Sequence, residues 1–306
     1  MTPDITDDEA PIDASEDIGS NPSTERPFAA ILSARIGRRA ALAGLASVAA
    51  AGILGRGPGA PSEARAQAHG PGTTRFVELP QGMDATDHVP AGYAREVVIR
   101  WGDKVLADAP AFDVARQTGD AQARQFGYNC DFLAYCPLPA GSAASDHGLL
   151  WVNHEYVNSN LMFAGLGVGR EARLRSSAAQ VAVEMAAHGG SIVEVRRTGG
   201  RWAPVDGPMN RRITAATPMR IAGPAAGHPR MRTGADPEGR TVLGMINNCA
   251  GGTTPWGTVL TCEENFNGYF MGDPDAMPEG ALMKRYGITK QPWYAWWRYE
   301  DRFDMA

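Results

Sequence analysis

Lysine is nearly missing from this chain. Of its 29 basic residues only Lys104, Lys284 and Lys290 are lysine, and the formal net charge is -5. No block of basic residues forms a face for a phosphodiester backbone, which excludes a nucleic-acid binder. Cysteine is scarce too: Cys130, Cys136, Cys249 and Cys262, with no C-x-x-C among them. That spacing argues against a zinc ribbon. In an exported protein four cysteines lead to the expectation of two disulfides, with three connectivities open. Long apolar runs are missing as well. No segment reaches the roughly 18 residues needed for a bilayer, so no stable membrane insertion is expected.

Glycine and proline are plentiful, 36 and 22 residues, and punctuate short apolar runs along the whole chain. This favours a turn-rich β protein over a helical one. Strands are expected at 96–101, 131–138, 148–152, 191–197, 201–205, 241–247 and 257–263, with the loop Asn248–Trp256 joining the last two. Thr198-Gly199-Gly200 between two of them is a hairpin signal. The one good helix is 176–188: Ser176 or Ser177 can cap it, alanine fills it and Gly189-Gly190 ends it. The fold class is all-β with one or two short helices. A sandwich, a barrel and a propeller all fit, and no repeat of blade length decides among them.

The N-terminal part has its own logic. Residues 1–34 hold eight acidic residues, all before the first basic one, Arg26, and no apolar period, so they read as a disordered leader. Residues 35–68 read as a twin-arginine-type signal peptide. Arg38-Arg39 stands directly before the mildly apolar stretch Ala40–Leu54, and Ala66-Gln67-Ala68 offers a small-x-small site with cleavage after Ala68. The expected location is the periplasm or the exterior, and the expected export partner is the twin-arginine translocase. What remains, residues 69–306, is near neutral, with 25 acidic and 23 basic residues.

Three segments concentrate metal-ligand groups. Asn129-Cys130-Asp131 sets an amide, a thiol and a carboxylate side by side at the start of a strand; Asn153-His154-Glu155 ends another; Cys262-Glu263-Glu264-Asn265 ends a third. Adjacent carboxylates repel, so Glu263 and Glu264 point to opposite faces unless a cation gathers them. Carboxylate and amide oxygens suit Ca2+ and hard ferric-type ions, whereas thiolate suits iron or zinc but not calcium. The mixed set therefore points to more than one metal. Each piece also has an ordinary reading: hydrogen-bonding cluster, one solvated and one ion-paired carboxylate, buried small thiol.

The strings FGYNCDF, LLWVNHEYVNSNLMF, NNCAGG, TPWGTVLTCEENFNGYF and the terminal YEDRFD together resemble the PhoX-type alkaline phosphatases, a secreted bacterial family, from about residue 75 to the end. The resemblance implies a metal-dependent phosphomonoester hydrolase on a β-propeller. It implies two ferric ions bridged by a cysteine thiolate, accompanying calcium, and a small-molecule phosphate ester as substrate. On the matching motifs it implies Cys130 as the bridging thiolate, Asp131 and Glu155 as carboxylate ligands, and Glu263 and Glu264 as iron or calcium ligands. Asn129, His154 and Asn265 are implied to stand on the calcium side, to support the metal ligands from behind, or to contact phosphate. Cys249 and Cys262 lie within family strings as well. Family members are longer, and this chain stops directly after an aromatic-rich stretch, Trp293 to Tyr299. Residues 69–306 are thus expected to be the N-terminal part of the phosphatase domain, an incomplete propeller whose activity needs more than these residues. The competing reading is an exported, non-catalytic β-propeller that binds a ligand or partner and holds no iron.

Overall fold

Residues 79, 82 and 85–305 are described by the computed structural model. The acidic leader, the Arg38-Arg39 pair and Ala68 lie outside the described residues. Four strands in sequence order form an antiparallel meander: β1 (Cys130–Pro137), β2 (His147–His154), β3 (Gly189–Thr198) and β4 (Arg201–Pro204). β5 (Arg211–Ile213) joins the same sheet by pairing with the start of β3. Two separate hairpins follow: β6 (Pro218–Arg220) with β7 (Thr241–Leu243), and β8 (Asn248–Thr253) with β9 (Val259–Glu263). Gly199 and Gly200, both at positive φ, make the tight β3–β4 turn that the sequence signals.

Among the described residues sheet predominates and no sheet closes on itself. The helices are short: α1 (Gly119–Gln122), α2 (Ser159–Met162), α3 (Gly169–Arg173), α4 (Ala178–Ala187) and α5 (Gly280–Arg285). They outnumber the one or two expected, because four of them span no more than six residues and carry no periodic pattern. α4 is the helix legible in the sequence. Ser177 caps it with a reciprocal pair of bonds: its hydroxyl accepts from Gln180 N at 3.3 Å, and Gln180 Oε1 accepts from Ser177 N at 2.8 Å. Gly189 ends it at φ +95°, where a Cβ would meet Ile213 O at 2.2 Å, so glycine is needed both for the turn and for the close approach of β5.

The buried face of α4 (Val181, Met185) packs with Val157, Met162, Tyr269, Tyr294, Trp296 and Phe303 in the main apolar cluster. The aromatic-rich stretch near residue 296 is therefore core. Burying side chains of this size contributes about 1.5–3 kcal/mol each relative to exposure. A second cluster lies on one face of the sheet: Val105, Phe126, Val152, Val193 and Val195.

Four expectations change. Residues 96–101 are not a strand; they pair with no ladder and end in a turn at Arg100–Asp103, and Val98 and Ile99 pack on the second cluster instead. β7 ends at Leu243, and residues 244–248 turn inward and are buried. The expected loop Asn248–Trp256 is mostly strand β8. All four cysteines are free thiols, so neither expected disulfide forms.

Candidate metal centre

Two hairpins present the same local construction toward one point. In β1–β2, Cys130 pairs with His154; in β8–β9, Asn248 pairs with Glu263. One position into the first strand of each hairpin stand Asp131 and Cys249. One position past the second strand of each stand Glu155 and Glu264. An asparagine in the left-handed region precedes each first strand, Asn129 at φ +36° and Asn247 at φ +46°. Asparagine tolerates that region better than other side chains with a Cβ. The carbonyl of Asn129 accepts the Glu155 N–H at 3.1 Å, and that of Asn247 accepts the Glu264 N–H at 2.9 Å. Each left-handed turn thus anchors the backbone of the carboxylate across the hairpin. Both ladders are irregular directly after these positions, which turns the first-strand residues out of the regular pleat.

The result is a cluster of ligand groups. One ligand atom each from Asp131, Glu155 and Cys249 lie within 4.8 Å of one another. Cys249 Sγ donates to Asp131 Oδ2 at 3.2 Å, and Asn247 Nδ2 donates to Glu155 Oε1 at 3.4 Å. The two hairpins are tied directly: buried Asn153 on β2 donates through Nδ2 to Cys249 O and to Thr261 Oγ1, each at 2.7 Å, while its Oδ1 accepts from Trp151 Nε1 at 2.8 Å. Asn248 Nδ2 adds a bond to Gly189 O at 2.7 Å.

Crowded acids without a counter-charge hold their protons. Loss of hydration, a hydrogen bond shared with Asp131, and the charges of Asp131 and Glu264 push the Glu155 carboxyl up to about 7. Loss of hydration and the same three carboxylates push the Cys249 thiol up to about 12. Two carboxylates with a third nearby, plus a thiol that stays protonated beside them, form a donor set whose crowding a bound cation would relieve. Oxygen and sulfur together fit iron, and the oxygens alone fit calcium.

The structure brings together Asp131, Glu155 and Glu264 of the expected ligands. The thiol it adds is Cys249, not Cys130. Cys130, exposed at the start of β1 where the ladder is irregular, is not among the ligand atoms that converge, and partial loss of hydration raises its pKa. Glu263 and Glu264 diverge, as adjacent strand residues do. Glu263 Oε1 accepts from Ile246 N at 2.9 Å, and Glu264 Oε1 from Asn265 Nδ2 at 2.7 Å. Asn265 is the third left-handed asparagine, at φ +46°. Asn129 bonds Asn158 Oδ1 at 3.0 Å. His154 faces the core. Its Nε2 lies 2.7 Å from Ser191 Oγ and accepts from Gly127 N at 3.3 Å, its ring meets Phe126 edge-on, and burial with the nearby Arg212 charge holds its pKa well down. Strand alternation again explains this: Asn153 and Glu155 flank the site, so His154 between them points the other way. Asn247 is the residue that the motifs did not single out; Asn153 stood in a motif without a role, and Cys249 was noted only as lying within a family string. The available signal was the recurrence of an asparagine before a strand-opening ligand.

The family model described as alkaline phosphatase PhoX matches residues 74–306. The chain belongs to this family. Among solved structures, Pseudomonas fluorescens PhoX in complex with vanadate, a transition state analogue, is similar to it with a TM-score of 0.67 and 38% identity, over 75% of this chain and 39% of that one. The chain thus spans well under half the length of that PhoX relative. Among curated proteins no relative matches. No helix of the described residues is long and apolar enough to cross a membrane.

Proposed function

We propose that this chain supplies the carboxylate and thiolate side of the metal centre of an exported phosphomonoesterase. The observation that carries the reading is the convergence of Asp131, Glu155 and Cys249 within 4.8 Å in a chain of the PhoX family. Asp131, Glu155, Glu264 and Cys249 would hold the metal, with Cys249 as the thiolate ligand in place of Cys130. Glu263 and Asn265 lie next along the chain and suit calcium. A metal held there acts as a Lewis acid on the phosphate ester and offsets charge developing on its oxygens. The residues' own part is to stay ionised around the cation. Asn129 and Asn247 fix the backbones of the two carboxylates before any ion arrives, so little reorganisation is needed on loading. The β1–β4 meander supports the propeller reading, since a blade is a four-stranded antiparallel sheet. Arg38-Arg39 supports twin-arginine export to the periplasm or beyond. That route passes folded proteins, so a metal-bound thiolate can form before the chain meets an oxidising compartment.

Elemental analysis of the purified chain, with hydrolysis of an aryl phosphate in the presence of Ca2+ and its inhibition by vanadate, tests the reading. Bound iron is expected in the wild type and in Cys130→Ala, and is expected to be lost in Cys249→Ala. A protein that binds no iron under any loading condition sinks the reading and leaves the non-catalytic binder.

A further inference from the structure

A buried hydrogen-bond chain runs from α4 to the cluster and ends on Asn247. His188, immediately after α4, donates through Nδ1 to Glu184 O at 2.7 Å, and its Nε2 lies 2.8 Å from Tyr269 Oη. Tyr269 Oη donates to Asn247 Oδ1 at 2.9 Å. The one hydroxyl proton goes to Asn247 Oδ1, and the His188 ring, its own N–H spent on Glu184 O, packs against the phenol oxygen from the other side. Asn247 then touches both acidic arms of the centre: its Nδ2 donates to Glu155, and its carbonyl accepts from the Glu264 backbone. It also stands two residues before Cys249. Its left-handed backbone is sparsely populated for a residue with a side chain, so something must hold it there.

Tyr269 and His188 are themselves closely packed. Both are fully buried. The Tyr269 ring stacks on Tyr294 with centroids 4.9 Å apart, and His188 meets Trp296 edge-on at 4.8 Å. A polar chain inside an apolar cluster keeps its geometry, because each broken bond strands a buried partner. We propose that Tyr269, braced by His188, is a positioning residue for the centre, setting the Asn247 turn and through it Glu155, Glu264 and the approach of Cys249. The inference rests on the metal reading above.

Tyr294 supplies the matched control. It is buried in the same aromatic cluster, and its hydroxyl donates to Val157 O at 2.9 Å with no bond toward the centre. Metal-stripped wild type, Tyr269→Phe and Tyr294→Phe, as full chains, are titrated with ferric ion and followed by the thiolate-to-iron charge-transfer band, with unfolding in urea measured alongside. Tyr269→Phe is expected to weaken ferric binding about 10-fold or more and to shift the band. Tyr294→Phe is expected to lose stability yet bind as the wild type does. Equal binding by wild type and Tyr269→Phe, or equal weakening by both variants, overturns the positioning role alone. A wild type that binds no ferric ion overturns the metal reading, and this one with it. Should Tyr269→Phe fail to fold, His188→Gln reads the same link from its far end: weaker binding in a folded protein supports it, and unchanged binding overturns it.

Discussion

Glu155 concentrates the physics of the site. Its carboxyl titrates near 7 in the metal-free protein against an ordinary value of 4.5, because it has lost hydration and faces Asp131 and Glu264. The folded state therefore binds a proton that the unfolded state has already released, and stability from this group falls as pH rises from about 4.5 to about 7. His154 and His188 act in the opposite sense. Burial keeps both neutral, His188 with a pKa of about 4 against an ordinary 6.5, so stability from it is lost as pH falls below that ordinary value. The slope of the wild type mixes these terms, and the comparison with Glu155→Gln isolates the acid. In chelator, urea midpoints of wild type and Glu155→Gln should diverge as pH rises, the variant becoming relatively more stable by pH 8. Parallel pH profiles for the two proteins would remove Glu155 as a strained acid. A metal ion competes with this proton and with that of the Cys249 thiol, so metal affinity should climb steeply as pH rises to about 7 and less steeply above it, where only the thiol still gives up a proton.

At the scale of elements, the sequence was readable wherever local pattern agreed with tertiary context. β1 to β4, β9 and α4 carry apolar alternation, Gly-Gly turns or a capping serine, and they form near where these signals put them. β8 does not. Asn248-Cys249-Ala250-Gly251-Gly252-Thr253 has poor strand propensity, yet it pairs along β9 because Gly251 must slide under β1: a Cβ there would meet the Phe132 ring at 2.4 Å. Gly252 beside it has nothing within 4 Å. Gly251→Ala should therefore cost about 1–3 kcal/mol through overpacking, whereas Gly252→Ala should be nearly neutral. Urea unfolding of the two variants checks the contrast, and equal losses would place the cause in backbone freedom rather than in the Phe132 contact. The same hidden packing explains the candidate site. Asp131, Glu155 and Glu264 were legible as strand-end acids. Cys249 was not preferred over Cys130, because which thiol faces the cluster depends on a ladder irregularity and an inter-hairpin bond that no local pattern encodes. His154 was misplaced toward the site by the same gap, since neighbours on a strand share a motif but not a face.

For the molecule as a whole, the cluster is a junction between two hairpins about a hundred residues apart in sequence, from Asp131 to Cys249. In the metal-free protein that junction is held by Asn153, which loses one buried and two part-buried bonds on truncation. Asn153→Ala should lower metal-free stability by about 1–3 kcal/mol, the usual cost of stranding buried polar partners. A metal that binds only the folded chain adds stability set by its concentration relative to its Kd, about 2.7 kcal/mol at a 100-fold excess over Kd. Its ligands draw on both hairpins, so it joins the parts that Asn153 joins. Iron loading should therefore raise the thermal midpoint of wild type and of Asn153→Ala by similar amounts, recovering stability in the variant without restoring the lost bonds. In Cys249→Ala, where the β8 ligand is gone, the increment should largely vanish although the metal-free protein remains folded. Scanning calorimetry with and without iron distinguishes these outcomes. An undiminished increment in Cys249→Ala would mean that the metal sits on the β1–β2 side alone and does not connect the hairpins.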